Sequence, residues 1–279
     1  MTDYNLSIVV FSCDAYSDLW DGFFEVLDYY WKDRTFQCYL VNNEKAYERD
    51  GVYVINAGNY NWSARARVAA NLIQSKYILT FLDDYYVSEQ IINDKIKEVL
   101  HYIKKEKISY YQLDITDKED YGKWSNFKLN YIYDIPKSRL YWVDTSIAIW
   151  DKYFFLELIG EGDYSAWEFE LARNLETKTP EEYADKICVF DSRLLISMTP
   201  MVIQGKYFPK AIKIMKKKGH IFDLSKRKVM SCNEVYKHEL KRYFSKLKFG
   251  REFAKIIGRL IGYKFMSDDY EKKVKTLIK

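Results

Sequence analysis

Residues 77–84 read YILTFLDD, an apolar run that ends on two adjacent carboxylates, Asp83 and Asp84. An apolar run this short, rich in β-formers and without alternation, is the signature of a strand buried on both faces. LSIVVFSC (6–13), FQCYLVNN (36–43) and VYVINAG (52–58) upstream have the same character, and ISYYQLDI (108–115) repeats it downstream. Segments of helical spacing lie between them. In 18–32, Leu19, Phe23, Val26, Leu27 and Tyr30 share a face; Trp62–Gln74 has Asn61 as candidate N-cap and Ala66, Ala69, Ala70 and Ile73 inward; 89–105 reads as a polar helix. Strand and helix units alternating at this length predict an α/β protein with a mostly parallel sheet flanked by helices. Ligands of such sheets sit beyond the carboxyl ends of the strands. Asp83 and Asp84 fall on that edge.

The pattern changes after 115. Residues 116–145 are polar and aromatic, YWVDTSIAIW (141–150) predicts an antiparallel strand, and a helix over 151–159 ends at Gly160. SAWEFELARNLE (165–176) predicts another helix, while CVFD (188–191) and LLISMTPMVI (194–203) are strand-like, closed by Gly205 and Pro209. The expected organisation is one body over 1–205, with halves of about 1–115 and 116–205, followed by a basic, mainly helical extension over 206–279.

Composition bounds the function classes. The chain has 279 residues, 48% hydrophobic and 30% charged, which fits a folded protein with a sizeable core and excludes a disordered or fibrous chain. No apolar run approaches the ~18 residues of a membrane span, and MTDYNLSIVVFSCDAY lacks the basic start of a signal peptide, so a cytoplasmic protein is expected. Four cysteines far apart, with no CxxC, indicate neither a disulfide scaffold nor a structural zinc site. The net charge of +4 is unevenly placed. Residues 204–265 hold 18 Lys or Arg against four acids, a balance of +14; the residues after 265 add +1, which leaves −11 on the body. From Glu239 to Lys264, apolar residues recur at helical spacing (Leu240, Tyr243, Phe244, Leu247, then Phe253, Ile256, Ile257, Leu260 and Ile261), flanked by Lys and Arg. Such a stripe either docks on the body or rests on an anionic membrane surface through 234–279. Nucleic acid is not an expected partner, because the body is acidic and no recognition motif accompanies the charge.

Three places carry candidate chemistry. Asp83 and Asp84 can ligate a hard divalent cation, Mn²⁺ or Mg²⁺, whose shell is completed by phosphate oxygens and water; paired Asp after a strand also make turns. Ser12, Cys13 and Asp14 follow the first strand, where Asp14 and Asp18 either hydrogen-bond a base or ribose or act as turn residues. In NWSARARVAANLI, Arg65 and Arg67 point to different helix faces, so at most one faces a site on the sheet edge, where it can clamp phosphate. In GEGDYSAWEFE, the acids Glu161, Asp163, Glu168 and Glu170 surround Trp167. A carboxylate beside an aromatic ring can serve as general base, whereas the same acids favour a helix N-terminal turn.

The order of these elements is informative: a strand ending SCD, an arginine-bearing helix, a strand ending LDDYYV, then a WEFE helix about 85 residues later. Over roughly residues 5–205 it resembles the GT-A-type nucleotide-sugar glycosyltransferases, and most of all the bacterial enzymes of capsular, exopolysaccharide and lipopolysaccharide synthesis related to the large family 2 of inverting transferases. The resemblance implies nucleobase contact at Ser12–Asp14 and metal-diphosphate binding at Asp83 and Asp84, with Tyr85 standing where the DxD motif carries its last carboxylate. It implies an acceptor-activating base at Glu168 or Glu170, with Asp163 the next candidate, and diphosphate contact by Arg65. The donor would be a nucleotide-diphosphate sugar and the acceptor a hydroxyl of a glycan or lipid-linked molecule. The aromatic loop 121–142 (Tyr121, Trp124, Phe127, Tyr131, Tyr133, Tyr141, Trp142) offers either a stacking surface for sugars or hydrophobic packing. Two other classes compete: a non-catalytic GT-A-like binding or scaffold subunit, and a sugar nucleotidyltransferase. The latter class usually has a glycine-rich loop after its first strand, which SCDAYSDLWDG does not contain.

Overall fold

A computed structural model describes residues 5–113, 125–137, 142–170 and 183–246, with side chains described to 240. The tail stripe beyond Leu240, the expected helix beyond 170, and Tyr121, Trp124 and Tyr141 lie outside the described residues.

Four strands form the first half of an α/β sheet: β1 (Leu6–Phe11), β2 (Gln37–Asn42), β3 (Val52–Asn56) and β4 (Tyr77–Leu82). They lie parallel in the order β3-β2-β1-β4, with Phe11 opposite Leu82 and Val41. A short β5 (Tyr85–Val87) follows, then β6 (Ile108–Gln112), β7 (Ile132–Asp134), β8 (Ala148–Asp151) and β9 (Ile187–Asp191). The main sheet continues from β4 as β8-β6-β9-β7, so six of its eight strands run one way while β8 and β7 run against them.

Period-two alternation sorts the strand side chains onto two cores. Ile8 and Val10 of β1, with Leu79 and Phe81 of β4, face α1 (Trp20–Tyr30) and α3 (Asn93–Glu106); Val9, Phe11 and Ile78 face α2 (Trp62–Leu72) and α4 (Lys152–Ile159). Alanines explain the close seat of α2: Ala66, Ala69 and Ala70 are buried against the sheet. Burial on both faces is why these strands carry almost no polar residues.

The expected 141–150 strand begins only at Ala148; Trp142–Ile147 form a turn that carries Asp144, Thr145 and Ser146 past the end of β4, since Thr80 pairs with Ala148. The stretch 194–203 divides into β10 (Met198–Pro200), which pairs antiparallel with β5, and β11 (Val202–Ile203). Strand β11 turns back into β12 (Lys206–Tyr207) through Gln204 and Gly205 at φ 51° and 73°. Two consecutive left-handed residues make a tight hairpin that suits glycine. Pro209, expected to close a strand, occupies the first turn of α5 (Pro209–Lys217), where its missing N–H costs nothing. Composition shifts near 205, but packing runs across it: Phe208, Ala211, Met215 and Met230 join the core that holds α1. The last described helix is α6 (Cys232–Lys246); its Glu239 meets Lys210 of α5 at 3.1 Å.

The Asp151 carboxylate caps α4, accepting from the amides of Tyr153 at 3.0 Å and Phe154 at 3.3 Å. Asp151→Ala is expected to lower the unfolding free energy by about 1 kcal/mol, read as a lower urea midpoint with an unchanged denaturant slope.

Candidate active site

The carboxyl edge gathers residues from the ends of β1, β2 and β4 together with the turn ahead of β8. At its centre the Ser12 hydroxyl donates to Asp83 Oδ2 and accepts from the Trp20 indole N–H at 2.6 Å. This ties the end of β1 and the start of α1 to the end of β4. Asp83 is 4% exposed, and burial, reinforced by its neighbour Asp84, raises its pKa well above the ordinary value.

Asp84 differs from the solvent-facing carboxylate that its strand-end position suggests. It is part-buried, burial pushes its pKa up to about 6, and its Oδ1 is enclosed with no hydrogen-bond partner. Its backbone carbonyl accepts the amides of Met201 at 2.8 Å and Val202 at 3.2 Å, which fixes the Asp83–Asp84 turn against β11. An enclosed carboxylate oxygen without a donor is costly unless a cation or a proton meets it. Among the described residues no group of three or more His, Cys, Asp or Glu side chains is placed to hold a metal ion. A cation here would therefore need oxygens from a ligand, the usual way Mg²⁺ is held beside phosphates.

Arg65 is 8% exposed, and its guanidinium donates to Asn43 Oδ1 at 2.8 Å; burial lowers its pKa against the opposing pull of Cys13, Asp14, Asp83 and Asp163. Arg67, two positions on, turns the other way and donates to the carbonyls of Gly160 at 2.6 Å and Gly162 at 3.1 Å. Cys13 is half-buried, and burial, then Asp83, raises its pKa. Asp14 is committed to structure: its carboxylate accepts the amides of Asn43, Glu44 and Lys45 at 3.2–3.3 Å and so shapes the loop after β2. Asp18 forms a two-point ion pair with Arg227, at 2.7 and 3.0 Å, and that guanidinium also covers the Tyr16 ring at 4.4 Å.

The WEFE acids separate by role. Glu168 closes a capping box with Ser165, whose amide and hydroxyl it accepts at 2.8 and 2.9 Å. Asp163 accepts the Asn61 amide at 2.8 Å, so it caps α2 where the Asn61 side chain makes no cap bond of its own. Glu170 turns inward: its Oε1 accepts both the amide and the hydroxyl of Thr145, at 2.8 and 2.6 Å. Burial, then the nearby charge of Asp144, raises its pKa against the two Thr145 bonds. Asp144 is itself held by Tyr110 and Gln112, each at 3.2 Å, and by Ser146. Of the aromatic loop, Trp142 is buried against Phe154 and Tyr183, and Tyr131 lies under Arg193 at 3.9 Å. These two rings pack within the protein.

Asn43, Asp144, Thr145 and Arg227 are site residues that motif reading did not supply. Asn43 directly follows β2, so its place on the carboxyl edge was available from topology; Arg227 carries no local signal, since its partner Asp18 is 209 positions away.

No protein-family model matches the sequence, and no curated protein is similar to it in sequence. Solved structures similar in fold include S. aureus TarS, at 8% identity and TM-score 0.45 over 76% of this chain and 38% of that one. Residues 1–349 of S. aureus TarS in complex with UDP-GlcNAc match at 12% identity and TM-score 0.37, over 53% of this chain and 45% of that one. A UDP-glucose pyrophosphorylase complexed with UDP-glucose matches at 9% identity and TM-score 0.41, over 70% of this chain and 92% of that one. The chain thus spans less than half the length of both TarS structures.

Asp83→Ala is expected to cost about 1–3 kcal/mol, because it leaves the Ser12 hydroxyl without its buried acceptor. Asp84→Ala removes an unpartnered carboxylate and should leave stability unchanged or raised. Urea unfolding of the two variants side by side checks the contrast.

Proposed function

We propose that this protein is an inverting glycosyltransferase that moves a sugar from a nucleotide-diphosphate donor to a hydroxyl of a glycan or lipid-linked acceptor in bacterial surface polysaccharide synthesis. The observation that carries the reading is one sheet edge holding two opposed functions. An unpartnered Asp84 oxygen and the buried Arg65 lie near the ends of β1 and β4, and a carboxylate of raised proton affinity, Glu170, lies beside the turn ahead of β8.

Arg65 supplies a guanidinium for the donor diphosphate, held in place by Asn43. Asp84 is the residue that would hold Mn²⁺ or Mg²⁺ together with the substrate's phosphate oxygens, and the cation would neutralise the charge of the leaving group. Asp83 stands behind it as the buried anchor. Glu170 accepts the acceptor hydroxyl's proton as that oxygen bonds to the anomeric carbon. The bond from that carbon to phosphate breaks, its electron pair leaves with the nucleoside diphosphate, and attack from the opposite face inverts the configuration. Thr145 fixes the Glu170 carboxylate, which limits the reorientation needed before proton transfer.

Incubation with a panel of nucleotide-diphosphate sugars tests the reading by its product. Release of nucleoside diphosphate with transfer or hydrolysis of the sugar is expected. Formation of nucleoside triphosphate and sugar 1-phosphate when pyrophosphate is added would instead assign a nucleotidyltransferase, and donor binding without turnover a scaffold subunit. Chelation should abolish turnover, Mn²⁺ or Mg²⁺ restore it, and Asp84→Ala remove it.

Glu170→Gln should lower kcat by ~10²-fold or more with donor affinity retained. The base must be deprotonated, so activity should rise with pH through a midpoint above the ordinary glutamate value of 4.5. Removing the like charge in Asp144→Asn should move that midpoint to lower pH. A midpoint that stays in place assigns the titration to a group other than Glu170, such as Asp84 with its pKa pushed up to about 6.

No helix among the described residues is long and apolar enough to cross a membrane. We place the enzyme in the cytoplasm, with the basic tail on an anionic membrane surface. Glu234 and Glu239 dock α6 on the body through Lys206 and Lys210, so truncation after 246 is the cleaner test. It should abolish salt-sensitive binding to anionic liposomes and leave the fold intact.

A further inference from the structure

We propose that Trp167 is the stacking platform for a neutral sugar ring of the acceptor, an inference that rests on the glycosyl-transfer reading above and names the chemical class of its second substrate. Tryptophan is otherwise a core residue among the described residues. Trp20, Trp31, Trp142 and Trp150 are 1% exposed and Trp62 is 8% exposed, whereas Trp167 is 48% exposed. Among the described residues its ring contacts no other ring and its indole N–H has no hydrogen-bond partner. Leaving the largest apolar side chain half in water forgoes burial that the other five obtain.

The ring is presented from a pinned support. Ser63 donates to the Gly162 carbonyl at 3.0 Å and accepts the Tyr164 amide at 2.7 Å. Arg67 holds the Gly160 and Gly162 carbonyls, Asp163 is fixed on Asn61, and the Ser165–Glu168 capping box starts the helical turn at 166–170. A rigid aromatic surface binds with little loss of conformational entropy.

Helix geometry then places it. At 3.6 residues per turn, Trp167 lies about 60° around the axis from Glu170 and about 160° from Phe169. Phe169 is fully buried and its ring meets that of Trp62 at 5.2 Å, so Trp167 points away from the core on the side that flanks the base.

The local charge selects the occupant. Glu161, Asp163, Glu168 and Glu170 lie within the loop and first turn, and Arg67, the cation that bonds to this loop among the described residues, already serves backbone carbonyls. A phosphate or carboxylate would meet repulsion there. A neutral pyranose has an apolar C–H face that covers an indole and hydroxyl edges that donate to carboxylates. An acceptor hydroxyl held on this platform lies next to the group that takes its proton.

The test uses the full-length protein, Trp167→Ala and the conservative Trp167→Phe. Binding is measured on immobilised neutral oligosaccharides and on phosphorylated polyols, with nucleotide-sugar hydrolysis by water as an acceptor-independent readout. Neutral glycans should bind the native protein, weaken about tenfold or more in Trp167→Ala and largely recover in Trp167→Phe. In transfer assays the loss should appear in the acceptor KM. Undiminished glycan binding by Trp167→Ala, or a preference for the phosphorylated polyols, overturns the platform and leaves the transfer reading standing. A native protein that neither hydrolyses nor transfers from any donor overturns the transfer reading, and this inference with it.

Discussion

Ser12 sits between the indole of Trp20 and the carboxylate of Asp83, and the geometry of the site depends on that three-part bond. A hydroxyl has one proton to give and lone pairs to receive, so accepting from the indole directs its proton to Asp83. The end of β1, the start of α1 and the end of β4 are thereby fixed in a buried setting where each group would be expensive without the others. With Asp83 satisfied by the protein, Asp84 is the carboxylate left with an oxygen lacking a partner. Two adjacent, identical residues thus differ through their hydrogen-bond partners, one tied in as an anchor and one left with an unpartnered oxygen.

The antiparallel strand β8 has an equivalent effect on the other half. Running against β4 and β6, it starts at the carboxyl edge, so the turn before it delivers Asp144 and Thr145 where a parallel strand would bring only its outgoing loop. Thr145 then grips Glu170 from a different segment of chain. The turn that holds Glu170 and the Asp83–Asp84 turn thus reach the same edge from opposite strand directions, far apart in sequence.

Much of this was legible before any coordinates. Strands β1 and β4 are marked by apolar runs because both their faces are covered, β3 shows the same character although Tyr53 and Asn56 are exposed, and Gly160 ends its helix at φ 63° as glycine readily does. The opposite headings of Arg65 and Arg67 followed from helical spacing. Less legible was which donors each acid would meet. Asp14 and Asp163 are the right residue types at the right edge, yet backbone amides claim them, and hydrogen-bond partners 30 or 102 positions away leave no trace in a local pattern, whereas the Ser165–Glu168 capping box is a local one. The 141–150 strand was read too long because Trp142 and Val143 are as apolar as strand residues while packing in a turn. Pro209 marked a boundary correctly, but as the opening of α5 rather than the close of a strand.

The Asp163 cap on α2 has a wider consequence. A helix start is a ready site for an anion, with unpaired amides and the positive end of the peptide dipole. Here the protein supplies its own anion: Asp163 takes the Asn61 amide and the Tyr164 carbonyl takes the Ser63 amide at 3.0 Å. The α2 terminus acts as an internal joint between the two halves of the sheet, and its dipole is already answered. Under the proposed glycosyl transfer, a donor diphosphate at this edge would meet side-chain charge in place of a helix end, so its affinity would depend on Arg65 more steeply than in proteins that cradle phosphates on main-chain amides. Lysine at that position would keep the charge but lose the planar fork that Asn43 orients.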